Sequence, residues 1–113
     1  VFRIAKKRIT RWPVQISAPS DDGKVHRHEA LIDLEVLTQS EHDAIYAGGG
    51  TDFDLLNRVV LGWPEGQFQD ENGNAMSFNS ENVSRLLDIP YVRNAFVAAY
   101  LAAFNGREPA RKN

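Results

Sequence analysis

The chain holds three histidines, His26, His28 and His42, and no cysteine. Without cysteine there can be no disulfide framework, thiolate zinc site, iron–sulfur cluster or thiol nucleophile. His26 and His28 stand two residues apart, so in an extended segment they share one face and could form half of a metal site. A third ligand would have to come from Glu29, on the opposite face, or from elsewhere; solvated strand histidines are the simpler reading. Gly48-Gly49-Gly50 lacks the Lys-Ser/Thr of a phosphate loop, and no strand-Gly-x-Gly pattern precedes it. It reads as a link between two short helices. Asp70 and Glu81 stand at the first and twelfth positions of a potential calcium loop. Ala75, however, occupies the sixth position, where the sharp turn requires glycine, and Asn72 the third. No Gly-x-Ser-x-Gly or comparable nucleophile signature occurs. Carboxylates are frequent in the middle of the chain, but their spacing singles out no acid–base pair. These residues predict a non-enzymatic protein with no cofactor and no metal.

The elements that position these side chains follow from periodicity. Thr10 to Ser17 alternates, with Trp12, Val14 and Ile16 on one side. Asp22-Gly23 marks a turn, because glycine tolerates the positive φ most residues avoid. Val25 to Leu37 continues in extended form, with Ala30, Ile32, Leu34 and Val36 on an apolar face and Asp33 and Glu35 opposite. The two runs predict a β-hairpin. Pro13 has no N–H to give a ladder and marks the first strand as an edge. Val1 to Ile9 is expected to add a short third strand.

After Leu37 the period becomes helical. Ser40, with Asp43 three residues on, is read as the N-cap of a helix reaching about Tyr46 and ended by the three glycines. Asp52 caps a second helix with Phe53, Leu56 and Val60 on its stripe, closed by Gly62. Trp63 to Phe78 reads as a loop turning at residues 70–73. Within it Trp63 and Phe78 are expected to pin the loop to the core and Phe68 to meet a partner. Asn79 or Ser80 caps a third helix carrying Val83, Leu86 and Leu87. Pro90 suits the first turn of a final helix running to about Asn105, with Gly106 as its stop. The whole predicts an α+β fold in one domain, with a hairpin region 1–37, a helical region 38–106 and a polar tail 107–113.

The final helix is the most informative segment. At 100° per residue, Val92, Ala95, Phe96, Ala99, Tyr100, Ala103 and Phe104 form one broad apolar face. Val97 and Leu101 fall outside it, one turn apart, with Ala98 and Ala102 nearby. Such a helix must be covered nearly all round, and a chain of 113 residues has little interior to do so. One side is therefore expected to meet another protein molecule.

Composition bounds the remaining classes. With 42% apolar residues the chain can build a core. Its apolar runs fall far short of the roughly 20 residues that span a bilayer, and no signal-length apolar segment opens it, so a soluble, unexported chain is expected. The net charge of −2 conceals three blocks. Residues 1–27 carry seven Lys/Arg against Asp21 and Asp22, a net +5. Residues 28–90 carry twelve acids against Arg58 and Arg85, a net −10, and residues 91–113 carry a net +3. This layout suits the basic end of one copy meeting the acidic middle of the next. It also suits a small nucleic-acid-binding regulator using Lys6, Lys7, Arg8 and Arg11, the alternative reading.

Leu61-Gly-Trp-Pro-Glu-Gly through Asp70-Glu-Asn-Gly73, Phe78-Asn-Ser-Glu-Asn82, Leu86-Leu87, and the Pro90-led helix ending in Ala-Tyr100 follow one another in order. In that order and spacing the chain resembles the tail assembly chaperones of siphovirus-type bacteriophages and prophages. Trp63, Gly66, Asp70, Gly73, Phe78, Glu81, Asn82, Leu86, Leu87, Pro90, Val92 and Tyr100 carry the likeness. Trp12-Pro13-Val14 and Gln39-Ser-Glu41 extend it over roughly residues 10–104. The resemblance implies a non-enzymatic assistant in tail morphogenesis. It would self-associate, in some relatives as an open spiral, coat the tape measure protein and help recruit tail tube subunits. It would act in the host bacterial cytoplasm and be absent from the mature virion, without membrane or nucleic-acid partners. The polar ending after Gly106 would make this the short form of products that relatives also make longer by frameshifting. Phe68, Tyr91, Arg93, Val97, Tyr100, Leu101 and Phe104 are the candidate protein-interface residues.

Overall fold

The computed structural model describes residues 1–109. Two long strands, β1 (Arg8–Pro19) and β2 (Val25–Glu35), pair as an antiparallel hairpin. A three-residue strand, β3 (Val60–Gly62), pairs antiparallel with the other edge of β2, giving the order β1-β2-β3. Four helices complete the α+β fold: α1 (Gln39–Ala47), α2 (Asp52–Val59), α3 (Ser80–Leu87) and α4 (Pro90–Phe104).

The third strand is not Val1 to Ile9. Residues 1–7 lie outside any strand, while Arg8 and Ile9 open β1. The third strand instead follows directly from α2, where the sequence alone continues a helical stripe through Val60. Three residues are too few to separate helical from strand periodicity. Pairing of Val60 with Leu34 and of Gly62 with Asp33 decides the matter. For the same reason Gly62 ends a strand rather than a helix. β2 also stops at Glu35, two residues short of the expected end; Val36 instead donates its N–H to the Lys7 carbonyl at 2.6 Å.

Register within the hairpin depends on one extra residue. Ile9 faces Leu34 but Trp12 faces Ile32, so β1 carries a bulge between them. Arg11 sits in this bulge with φ at 60°, a left-handed conformation rare outside glycine. Its N–H donates to Asp33 Oδ1 at 2.9 Å, and its guanidinium lies 3.6 Å from the same oxygen. Past the bulge Trp12 and Val14 lie opposite Ile32 and Ala30, so the apolar faces of both strands coincide. A slip of one residue would turn one of them to solvent.

Pro13 stands on the outer edge, as its missing N–H predicts. It faces Leu31, whose backbone groups are both taken by one side chain. Gln67 Oε1 accepts from the Leu31 N–H, and Gln67 Nε2 donates to the Leu31 carbonyl, each at 2.8 Å. The amide thus replaces a strand beyond the end of β3. Because the Leu31 groups point away from β1, nothing is lost where proline faces them.

Two helices, α1 and α2, are capped earlier than the sequence suggests. Thr38, not Ser40, caps α1: Thr38 Oγ1 accepts from the Glu41 N–H at 3.2 Å, and Glu41 Oε1 accepts from the Thr38 N–H at 2.9 Å. Thr51, not Asp52, precedes α2, and the Asp54 carboxylate accepts from its N–H at 2.8 Å. In both cases a carboxylate three residues on completes a capping box. Asn79 caps α3, and Asn105 and Gly106 end α4, as read from the sequence. Between α1 and α2 the glycine link is tight: a Cβ on Gly50 would clash with the Ile45 carbonyl oxygen.

One core joins these elements. Val14, Ile32 and Leu34 from the sheet meet Leu55, Leu56 and Val59 of α2, Leu87 of α3 and Phe96 and Tyr100 of α4. An ion cluster closes one side of the fold. Lys7 Nζ lies 2.7 Å from Glu41 Oε1 and 3.9 Å from Glu35, and Arg58 lies 3.1 Å from Glu35. Hydrogen bonds from Lys7 and then from Thr38 draw the Glu41 carboxyl down to about 2.

Two predictions follow from this architecture. Glu41 is held below its ordinary 4.5, so its contribution to stability is present above that pH and is lost as pH falls toward about 2. Thermal melts by circular dichroism across that window should therefore show a smaller loss for Lys7→Met than for the parent chain. Gln67→Met, which keeps the volume but orphans both Leu31 groups, should cost about 1–3 kcal/mol in urea unfolding.

Candidate interaction surface

α4 divides into two faces. Val92, Phe96, Ala99 and Tyr100 are buried, at spacings of four, three and one, against β1 and the other helices. Trp12 Nε1 donates to the Ala99 carbonyl at 2.8 Å, and the Tyr100 hydroxyl takes a long hydrogen bond of 3.4 Å from the Leu37 N–H. On the outer face Tyr91, Asn94, Ala98 and Leu101 are exposed. Their spacing of three, four and three puts them on one line, the spacing of a helix-packing seam. Tyr91 is 39% and Leu101 38% exposed, and no charge interrupts the line.

A shallow groove runs between this line and the edge of β1. One part, of about 160 Å³, is lined by Pro13, Gln15, Ala95, Ala98, Ala99 and Pro109. Its continuation, of about 280 Å³, adds Ser17, Tyr91 and Asn94. The lining is uncharged. Gln15 Oε1 is buried there and accepts no hydrogen bond among the described residues. A buried acceptor without a donor is costly, and a partner bringing an N–H or O–H would relieve it.

The structure separates the candidate residues named from sequence. Leu101 and Tyr91 lie on the exposed line; Val97 and Arg93 are half-buried, and Val97 packs on the core. Phe104 is half-buried against His42, with ring centroids 4.6 Å apart. Tyr100 is fully buried and cannot present a surface. Phe68 is buried too, edge-on to Trp63 at 4.9 Å, so it pins the loop instead of awaiting a partner. Phe78, expected to pin the loop, is 39% exposed, though its ring stands edge-on to Trp63 at 5.0 Å. A bridge between Gln69 and Ala75 spans the 70–73 turn, and beside it the Met76 N–H donates to the Phe68 carbonyl at 2.8 Å, with both side chains buried. Trp63 Nε1 donates to the Met76 carbonyl at 3.0 Å and locks them there.

Asn94, Ala98 (noted only as a neighbour of Val97 and Leu101) and Gln15 are not singled out as candidates by the sequence. The three-four-three line through Tyr91 and Leu101 was the available signal for the first two. For Gln15 there was none, because its position depends on how α4 lies against β1.

The remaining sequence candidates are placed as follows. His26 is exposed and lies 3.4 Å from Asp22. No group of three or more His, Asp or Glu side chains among the described residues could hold a metal ion. Asp70 spends its carboxylate on the N–H groups of Asn72 and Asn74, both at 2.9 Å, closing its own turn. Of the four N-terminal bases, Lys7 is bound to Glu41 and Arg11 to Asp33, so they do not form one free basic face. No helix among the described residues is long and apolar enough to cross a membrane. Compared with protein-family models, curated proteins and solved structures, the chain matches none of them.

The two faces of α4 should respond differently to substitution. Leu101→Asp should change the unfolding free energy by no more than about 0.5 kcal/mol, as for other surface positions. Phe96→Ala should cost about 3–5 kcal/mol. Urea titrations followed by tryptophan fluorescence would compare the two.

Proposed function

We propose that this protein is a non-enzymatic assembly chaperone of the kind its sequence resembles. Copies associate with one another and cover the long tape measure protein in the host cytoplasm, and tail tube subunits are recruited before the chaperone leaves the finished particle. The observation that carries this reading is the outer line of α4. A helix of this composition gives up burial of Leu101, Tyr91 and Ala98 in its own domain, beside an uncharged groove with an unpaired acceptor. Apolar surface of this kind, rimmed by polar residues, is what a protein partner covers. An uncharged surface also suits a long client, because it asks only for apolar side chains and not for one pattern of charges.

Co-expression tests the proposal. A phage tape measure protein should remain soluble with the parent chain and with Phe78→Ser, and should precipitate with Leu101→Asp. Circular dichroism of the purified variant would confirm that it is folded. A tape measure protein that is equally soluble with no chaperone, or with Leu101→Asp, would overturn the reading.

A further inference from the structure

A second apolar group stands without cover at the other end of the chain. Residues 1–6 form neither helix nor strand, and Phe2 and Ile4 are each 86% exposed. Lys6 follows two residues after Ile4, and Arg3 lies between Phe2 and Ile4. Lys6 and Arg3 have no carboxylate partner among the described residues. The segment therefore offers two apolar side chains followed by a cation.

A complementary receptor lies between the 70–73 turn and the corner joining α3 to α4. It is a cleft of about 460 Å³, with Met76, Leu86 and Ile89 on its floor and Asp70, Glu71 and Asp88 on its rim. Arg85 also lines it, 3.7 Å from Glu71, which leaves an excess of negative charge. The groove on α4 would accept Phe2 and Ile4 but offers Lys6 no acid. The cleft supplies both.

We propose that residues 1–6 of one copy dock in this cleft of the next, with Phe2 and Ile4 on the apolar floor and Lys6 against Asp88 and Glu71. The contact joins two different patches, so it is heterologous and propagates head to tail. It gives the three-block charge layout a physical role: a basic segment finds an acidic middle. It also leaves the outer line of α4 free for the client. The inference rests on the self-association in the proposed function and names the surfaces that perform it.

Sedimentation velocity of the full chain over a concentration series, at low and high salt, tests it. The parent chain should grow with concentration and shrink at high salt. An arm variant, Phe2→Ser with Ile4→Ser, and a cleft variant, Glu71→Lys with Asp88→Lys, should each weaken association about tenfold or more. All four positions are on the surface, so circular dichroism should be unchanged. Mixing the two variants should yield a one-to-one pair that grows no further, since the mixture retains a single intact arm–cleft match. If both variants assemble like the parent, or if the mixture forms no pair, the inference is overturned. If only Leu101→Asp loses association, α4 joins the copies and the arm does not. If the parent is monomeric at every concentration, self-association itself falls, while the effect of Leu101→Asp on client solubility remains a separate measurement.

Discussion

Trp12 donates its indole N–H to the Ala99 carbonyl, joining the first strand to the middle of the last helix across 87 residues of sequence. The rest of the molecule is arranged around this docking of α4 on the hairpin. It puts Phe96 and Tyr100 into the center of the core and places a helix beside β1, the strand whose outer edge is otherwise open. An uncovered edge is a template for uncontrolled pairing, and a helix laid along it together with Pro13 blunts that hazard. The same docking sets the limit that matters for function. A three-stranded sheet and three other short helices can cover one side of a fifteen-residue apolar helix, but not both. The uncovered line follows from the size of the domain.

For the hairpin to receive α4, its apolar side chains must all face one way. That is the work of the bulge at Arg11. The strained φ is held by Asp33, a residue that the alternation assigned to the polar face and that the fold uses as an anchor. Glu35, its neighbour on that face, is used similarly through Arg58 and Lys7. The polar side of the sheet is thus a set of ties to the N-terminal segment and to α2. Those ties take up part of the basic charge that the sequence alone made available for nucleic acid.

Charge that remains unspent is distributed unevenly. Lys6 and Arg3 stand on the segment before β1 beside exposed apolar residues, while Asp88 stands at the α3–α4 corner. The uncharged groove along α4 separates in character from both. One surface would select by apolar contact alone, the other by apolar contact and sign, so the two are chemically distinct.

Much of this was legible in the residues. Alternation in 10–17 and along Ala30, Ile32 and Leu34, the turn at Gly23, proline at the head of α4 and the buried stripe of α3 are local signals, and local physics alone sets them. So too is the excess of apolar side chains on α4, which announced that some would stay uncovered. Tertiary structure decided what depends on residues far apart. It made β3 from a segment that reads as helix, because the edge of β2 was there to pair with it. It moved the caps to Thr38 and Thr51, where carboxylates could return the hydrogen bond. It buried Phe68 and Tyr100 and left Phe78 and Leu101 outside, because an amphipathic pattern states how many side chains can be buried but not which neighbours will be present to bury them.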